Sequence, residues 1–223
     1  MAARSRLQYR LLVAVDVERY SARDALRQFM AQDDLRHALE RAAAGAGLDR
    51  ELWYRQFAGD GELAVLPGDV DISHAVGALS AELDTALAEI NERRAAGDRL
   101  RIRLAFHHGT LAPGPFGPAG AAPIVVSRLL DSAPLRALLD RRPEHDLVLA
   151  VSDSLYADVV STGFCRLDPA GFQPIRISAK GIRYRGFIRA GTGARADEAL
   201  GTVVPLPVPF RPDARGAESV SSA

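Results

Sequence analysis

Residues 9–15, Tyr-Arg-Leu-Leu-Val-Ala-Val, form a β-rich apolar run that ends on a carboxylate, Asp16. Apolar side chains at consecutive positions read as a buried strand, so the run delivers Asp16 to the strand's C-terminal end. Ser21 then opens a helix. Its spacing to Asp24 approximates a capping box, and Leu26, Phe29, Met30, Leu35 and Leu39 continue an apolar stripe as far as the Gly45 to Gly47 region. A hairpin follows, with residues 52–57 as one strand, residues 62–66 as the other and Ala58-Gly59-Asp60-Gly61 as the tight turn. From about Ile72 to Arg94, apolar residues recur at three- and four-residue spacing (Ile72, Val76, Leu79, Leu83, Leu87, Ile90), the pattern of an amphipathic helix. Residues 100–107 alternate basic and apolar side chains as a half-exposed strand does. The order strand, helix, hairpin, helix, strand predicts an α+β domain with a ferredoxin-like βαββαβ core, a mixed sheet with helices on one face.

Further elements are added to that core. A Pro/Gly-rich loop over 112–123 leads to a short helix over 124–130, and Ser132 with Pro134 starts another over 133–141. Residues 147–151 read as a strand, Ser152 caps a helix through Val160, and two strands over 174–178 and 183–189 are joined through Lys180-Gly181. The domain is expected to span 1–190. Residues 191–223 turn to Gly, Ala, Ser and Pro and are expected to form an extended tail. A hydrophobic content of 48% with 25% charged residues suffices for a real core. Basic and acidic residues number 28 each, and without a basic run neither nucleic acid nor a membrane is an expected partner. No stretch approaches the roughly 20 apolar residues of a membrane span and the start lacks a hydrophobic signal core, so a cytoplasmic location is expected. The single Cys165 excludes an internal disulfide and a Cys-based zinc site.

Asp16 at a strand end and Asp60 in a hairpin turn form the strongest chemical constellation, because adjacent strands bring two such carboxylates close together. Hard oxygen ligands select Mg²⁺ or Mn²⁺, and phosphoryl chemistry is the natural use of such a site. Each carboxylate alone is also explained locally, Asp16 as a strand tip and Asp60 as an Asp-Gly turn residue. His107 and His108 adjoin on a strand and point to opposite faces, which opposes a shared metal. Glu62, Asp69 and Asp71 lack the ligand order of a calcium loop and read as solvated. There is no Gly-x-Ser-x-Gly elbow, Walker loop or His-Glu-x-x-His.

Several short segments taken together resemble the catalytic domain of class III adenylate/guanylate cyclases. These are Asp16-Val17-Glu18-Arg19-Tyr20-Ser21; Phe57-Ala58-Gly59-Asp60-Gly61-Glu62-Leu63-Ala64-Val65; the strand from Arg103 to His107-His108-Gly109; Val126-Ser127-Arg128-Leu129-Leu130; and Ile177-Ser178-Ala179-Lys180-Gly181. The resemblance covers about residues 8–190. It implies that Asp16 and Asp60, with the Val17 carbonyl, hold two Mg²⁺ or Mn²⁺ ions, and that the amides of residues 18–22, Ser21 among them, receive phosphate oxygens. Arg128 matches the catalytic arginine and Lys180 the phosphate-binding lysine; Lys180 is the chain's only lysine. The substrate implied is a nucleoside triphosphate, and the working unit a homodimer in which the aspartates of one subunit face the arginine of the other.

Two positions depart from the family pattern. The asparagine that stands four residues before the family's arginine is replaced by Ile124, and Gln56 occupies the place of the adenine-reading lysine or guanine-reading glutamate. The companion base-reading position falls near Phe116 and Gly117, so neither purine code is present; Tyr54 could stack on a base. The expected function is a nucleotidyl cyclase with the base unassigned. The alternative is a degenerate cyclase fold that binds nucleotide or a protein partner without turnover. A polymerase-like diguanylate cyclase palm is disfavoured, since its Gly-Gly-Asp/Glu-Glu-Phe turn is absent.

Overall fold

The computed structural model describes residues 6–192. Thirteen main helices and strands make up the described residues. In chain order they are β1 (Gln8–Val17), α1 (Ala25–Gly45), β2 (Tyr54–Ala58), β3 (Gly61–Val65), α2 (Ile72–Asn91), β4 (Ile102–Gly114), β5 (Gly117–Ala119), α3 (Ala121–Leu130), α4 (Ala133–Arg141), β6 (Leu147–Ser152), α5 (Asp153–Asp158), β7 (Gln173–Ala179) and β8 (Ile182–Ala190). The sheet runs β2-β3-β1-β4-β6-β8-β7, with β5 hydrogen-bonded to β4. Its β4-β1-β3-β2 half is the expected βαββαβ core. Beyond it, β6 adds parallel to β4, and the β7–β8 hairpin extends the sheet to its far edge.

Helices cover both faces of the sheet, not one. Leu11, Val13, Val15 and Val17 join Leu104 and Phe106 in a core shared with α1 and α2. Leu12 and Ala14 point the other way, into a second core with Val126 and Leu129 of α3 and Leu135 and Leu139 of α4. The cause lies in the unbroken apolar runs of β1 and β6: a strand without alternation has no face that water can cover. Each fully buried Leu or Val contributes about 1.5–3 kcal/mol relative to exposure.

Local chemistry explains the departures in element boundaries. Ser21 does not open α1: it sits in a single 3₁₀ turn, Tyr20–Ala22, and the N-cap is Asp24, whose carboxylate accepts from Arg27 N at 2.9 Å. α2 stops at Asn91 rather than Arg94, because the Asn91 side chain turns back to Leu100, donating to its carbonyl at 2.9 Å and accepting from its amide at 2.7 Å. The loop expected over 112–123 is partly ordered into the end of β4, the short β5 and the first turn of α3. The helix expected from Ser152 to Val160 is the short α5 followed by a 3₁₀ turn.

Glu62 is not solvated. It is buried in a bidentate pair with Arg50, at 2.7 and 2.6 Å, and Arg50 in turn lies over the Trp53 ring. Asp71 is the N-cap of α2, accepting from His74 N at 3.0 Å. Gly191 and Thr192 are buried, and Asp84 accepts from both the amide and the hydroxyl of Thr192 at 3.0 and 2.8 Å. The remainder of the expected tail lies outside the described residues. Among those described, no helix is long and apolar enough to cross a membrane.

Candidate active site

The β1–β3 register places Asp16 opposite Gly61, immediately beside the two-residue turn Gly59-Asp60. Val17 N donates to the Asp60 carbonyl at 2.9 Å, tying the turn to the strand end. Gly61 is dictated by this contact: a Cβ there would stand 1.9 Å from the Val15 carbonyl oxygen. Gln32 of α1 holds the turn from the other side, donating at 2.6 Å to both Gly59 O and the Tyr20 hydroxyl. Asp16 and Asp60 are thus brought to one corner of the sheet by three elements.

Arg103, which pairs with Asp16 across β1 and β4, donates from Nε and Nη2 to both Asp16 oxygens at 2.7 Å. This bidentate bond lowers the Asp16 pKa, but burial works against it more strongly, and the charges of Asp60 and Asp131 add to burial. The balance raises Asp16 from 3.8 to about 6. Arg103 was expected on a half-exposed strand; it is instead largely buried by its ion pair, as is Arg101 by Glu18. No local pattern marks Arg103 as part of the site, since its partner is 87 residues away.

The donor set suits a hard divalent cation. Two carboxylates and the Val17 carbonyl offer only oxygen, the donor type such ions prefer. Among the described residues no group of three or more His, Cys, Asp or Glu side chains forms a closed metal site, so substrate or water would have to complete the coordination shell. In the 18–22 segment, the amides of Arg19, Tyr20 and Ser21 have no acceptor among the described residues, whereas Glu18 N is used by Arg101 O at 2.8 Å. Arg19 adopts φ 52°, a left-handed conformation uncommon for a side chain of its size.

Other candidate residues lie elsewhere. Tyr54 and Gln56 are exposed on the edge strand β2, on the same side of it, and the β4–β5 turn comes to them: a Cβ on Gly117 would meet Gln56 Oε1 at 2.8 Å and Tyr54 Oη at 2.9 Å. The two stretches expected to read a base do converge. Arg128, half-buried on α3 and without an ion pair among the described residues, lines a cavity of about 290 Å³ with Asp131, Arg176 and Ser178. Lys180 occupies the exposed β7–β8 turn with φ 52°. It is not with Asp16. The registers put Asp16 level with Ala190 through Arg103 and Val148, and Lys180 lies ten residues back along β8 from Ala190, about 30 Å at a strand's rise per residue. His107 and His108 do point to opposite faces: His107 Nδ1 meets Ser152 Oγ at 2.8 Å, and His108 lies against the Tyr9 ring. Burial, reinforced by His108, lowers the His107 pKa to about 4.

No family model matches the sequence, and no curated protein matches it. Solved structures do. The guanylyl cyclase Cya2 superposes with a TM-score of 0.61 at 14% identity, over 88% of this chain and 97% of that one. An adenylate/guanylate cyclase/hydrolase from Silicibacter pomeroyi gives 0.59 at 19% identity, over 83% and 98%. The catalytic core of a rhodopsin-guanylyl cyclase with converted specificity, in complex with ATPαS, gives 0.54 at 14% identity, over 84% and 98%. With its βαββαβ core, its added β6 and β7–β8 hairpin and these neighbours, the chain has the fold of the class III adenylyl/guanylyl cyclase catalytic domain.

Proposed function

We propose that the chain is a nucleotidyl cyclase that acts as a homodimer, converting a nucleoside triphosphate to a 3′,5′-cyclic nucleotide and pyrophosphate. The observation that carries this reading is the meeting of Asp16 and Asp60 at one sheet corner, beside the free amides of residues 19–21, in a chain of this fold. Asp16, Asp60 and the Val17 carbonyl would hold two Mg²⁺ or Mn²⁺ ions. Bound there, the ions would favour ionisation of the ribose 3′-hydroxyl and neutralise the triphosphate. The ribose 3′-oxygen attacks the α-phosphorus as the bond to the β-phosphate bridging oxygen breaks, releasing pyrophosphate. The chain's own groups then have simple electrostatic tasks: the amides around Ser21 receive phosphate oxygens, and Arg128 stabilises charge that grows in the transition state. Lys180 binds the polyphosphate, while Gln56 and Tyr54, beside Gly117, face the base.

Distance supports the dimer reading. Lys180 sits about 30 Å from Asp16 within one chain, so both act on one substrate only if a second copy presents its hairpin to the first. Exposed Ile124 and Phe116, at 51% and 97%, give such a partner apolar surface to cover. A second reading, a nucleotide-binding domain without turnover, is favoured by Ile124, which cannot orient a ribose hydroxyl. Incubating the protein with Mn²⁺ and each of the four ribonucleoside triphosphates separates the two. Release of a cyclic nucleotide with equimolar pyrophosphate is the expected result. Mn²⁺-dependent binding without product supports the second reading, and no binding at all refutes both.

A further inference from the structure

Beside the Tyr20–Ala22 turn lies a cavity of about 270 Å³, not lined by Asp60, whose wall carries Arg19, Arg23, Arg27, Arg99 and Arg101 together with the carboxylates Glu18 and Asp98. Most of these guanidinium groups are already compensated. Arg101 binds Glu18 at 3.0 and 3.1 Å, Arg99 binds Asp146 at 2.7 Å, and Arg27 lies 3.5 Å from Asp98 and 3.7 Å from Asp24. Two are not. Arg19 has neither an ion pair nor a side-chain hydrogen bond among the described residues. Arg23 donates from Nη2 to a carbonyl, Arg99 O, at 3.2 Å, and its buried Nε has no acceptor. That Nε is sealed from solvent, so only the Nη groups of Arg23 can reach an occupant of the cavity.

We infer that this cavity is a binding site for a free phosphate-type anion carrying at least two negative charges, held by Arg19 and Arg23. Two uncompensated guanidinium groups facing one cavity call for that much charge, and their planar forks match phosphoryl oxygens. A monocarboxylate would leave one of them unanswered. The left-handed backbone at Arg19 sets its side chain at the boundary between this cavity and a second one, of about 210 Å³, that reaches Arg103. An anion here therefore lies beside the Asp16 corner without using either carboxylate. Two sources share the chemistry, inorganic phosphate and the pyrophosphate that a cyclase would release. The inference holds whether or not the chain cyclises nucleotide.

Titration calorimetry on the full chain, in metal-free buffer without nucleotide, tests it with potassium pyrophosphate and potassium phosphate as separate titrants. The proteins compared are wild type, Arg19→Ala, Arg23→Ala and, as a control for lost positive charge, Arg41→Ala, an exposed arginine of α1 paired with Glu89 away from the cavity. Binding of at least one anion is expected, weakened about tenfold or more in Arg19→Ala and Arg23→Ala and changed less than about twofold in Arg41→Ala. Selective binding of pyrophosphate assigns the released product as the ligand, and comparable binding of both assigns inorganic phosphate. Should Arg23→Ala fail to fold, Arg19→Ala, which removes no side-chain hydrogen bond or ion pair among the described residues, decides alone. No heat with either anion at millimolar concentration, or undiminished affinity in Arg19→Ala, overturns the inference. Because nucleotide and metal are absent, these outcomes are independent of whether the cyclase reading stands.

Discussion

At Asp16 two opposing influences meet in one side chain, and burial outweighs the Arg103 ion pair. In the unfolded chain the carboxyl ionises near 3.8; in the fold it does so near 6. Between those values the native state keeps a proton that the unfolded state has lost, so this group's contribution to stability falls as pH rises, by up to about 3 kcal/mol. His107 has the opposite sign. It ionises near 4 in the fold against 6.5 otherwise, so its contribution grows over that range by a similar amount, about 3 kcal/mol at most. The two nearly cancel in the wild-type protein. In urea unfolding between pH 4 and 6, Asp16→Asn is expected to make stability climb more steeply with pH than in wild type. An unchanged slope would show that Asp16 is not held protonated by burial. Ile124 stands one turn before Arg128 on α3. Replacing it by Asn is expected to raise turnover by about tenfold to a hundredfold with little change in nucleotide affinity, because the added hydrogen bonds strengthen only as the reaction proceeds. Unaltered turnover would mean that another side chain already serves that role.

Among the elements, the β2–β3 turn does most to assemble the site, and its two glycines differ. A Cβ on Gly61 collides with the Val15 carbonyl and must open the β1–β3 pairing next to Asp16, whereas a Cβ on Gly59 meets nothing within 4 Å. Gly61→Ala is therefore expected to cost more than about 3 kcal/mol and Gly59→Ala less than about 0.5, read as shifts in denaturant midpoint. Equal effects would contradict the close approach. This turn was legible from Asp-Gly chemistry, as were the long helices from their apolar period and the Asp16–Asp60 pairing from the strand order. What escaped was set across the sheet. Helices on both faces were implied by the unbroken run in β1, yet the alternation of residues 100–107 argued for a solvent-facing strand. That alternation misled because Arg101 and Arg103 are buried by carboxylates 83 and 87 residues away, pairings that no local window contains. Ser21 and Asp24 compete for one helix start; Asp24 wins because its carboxylate reaches Arg27 N and leaves the Ser21 stretch free as a separate turn.

In the proposed cyclase, the working site is divided between two copies of the chain. Asp16 and Asp60 gather at one corner of the sheet and Lys180 at the far end of its opposite edge, so on the proposed reading one copy does not bring the aspartates and the lysine to one substrate. A two-fold axis that presents one half to the other makes two complete sites, since an isologous contact places each residue type on both sides. The direct test mixes two proteins inactive by themselves, Asp60→Ala and Arg128→Ala, and allows their subunits to exchange. A heterodimer keeps one site with both wild-type halves and one with neither. Recovery of cyclase activity to about one quarter of the wild-type level is expected at equal mixing, half the dimers being mixed and each of those half active. Failure of the mixture to regain activity while size-exclusion and labelling show that heterodimers have formed, or full activity in a strictly monomeric wild-type protein, would contradict the shared site.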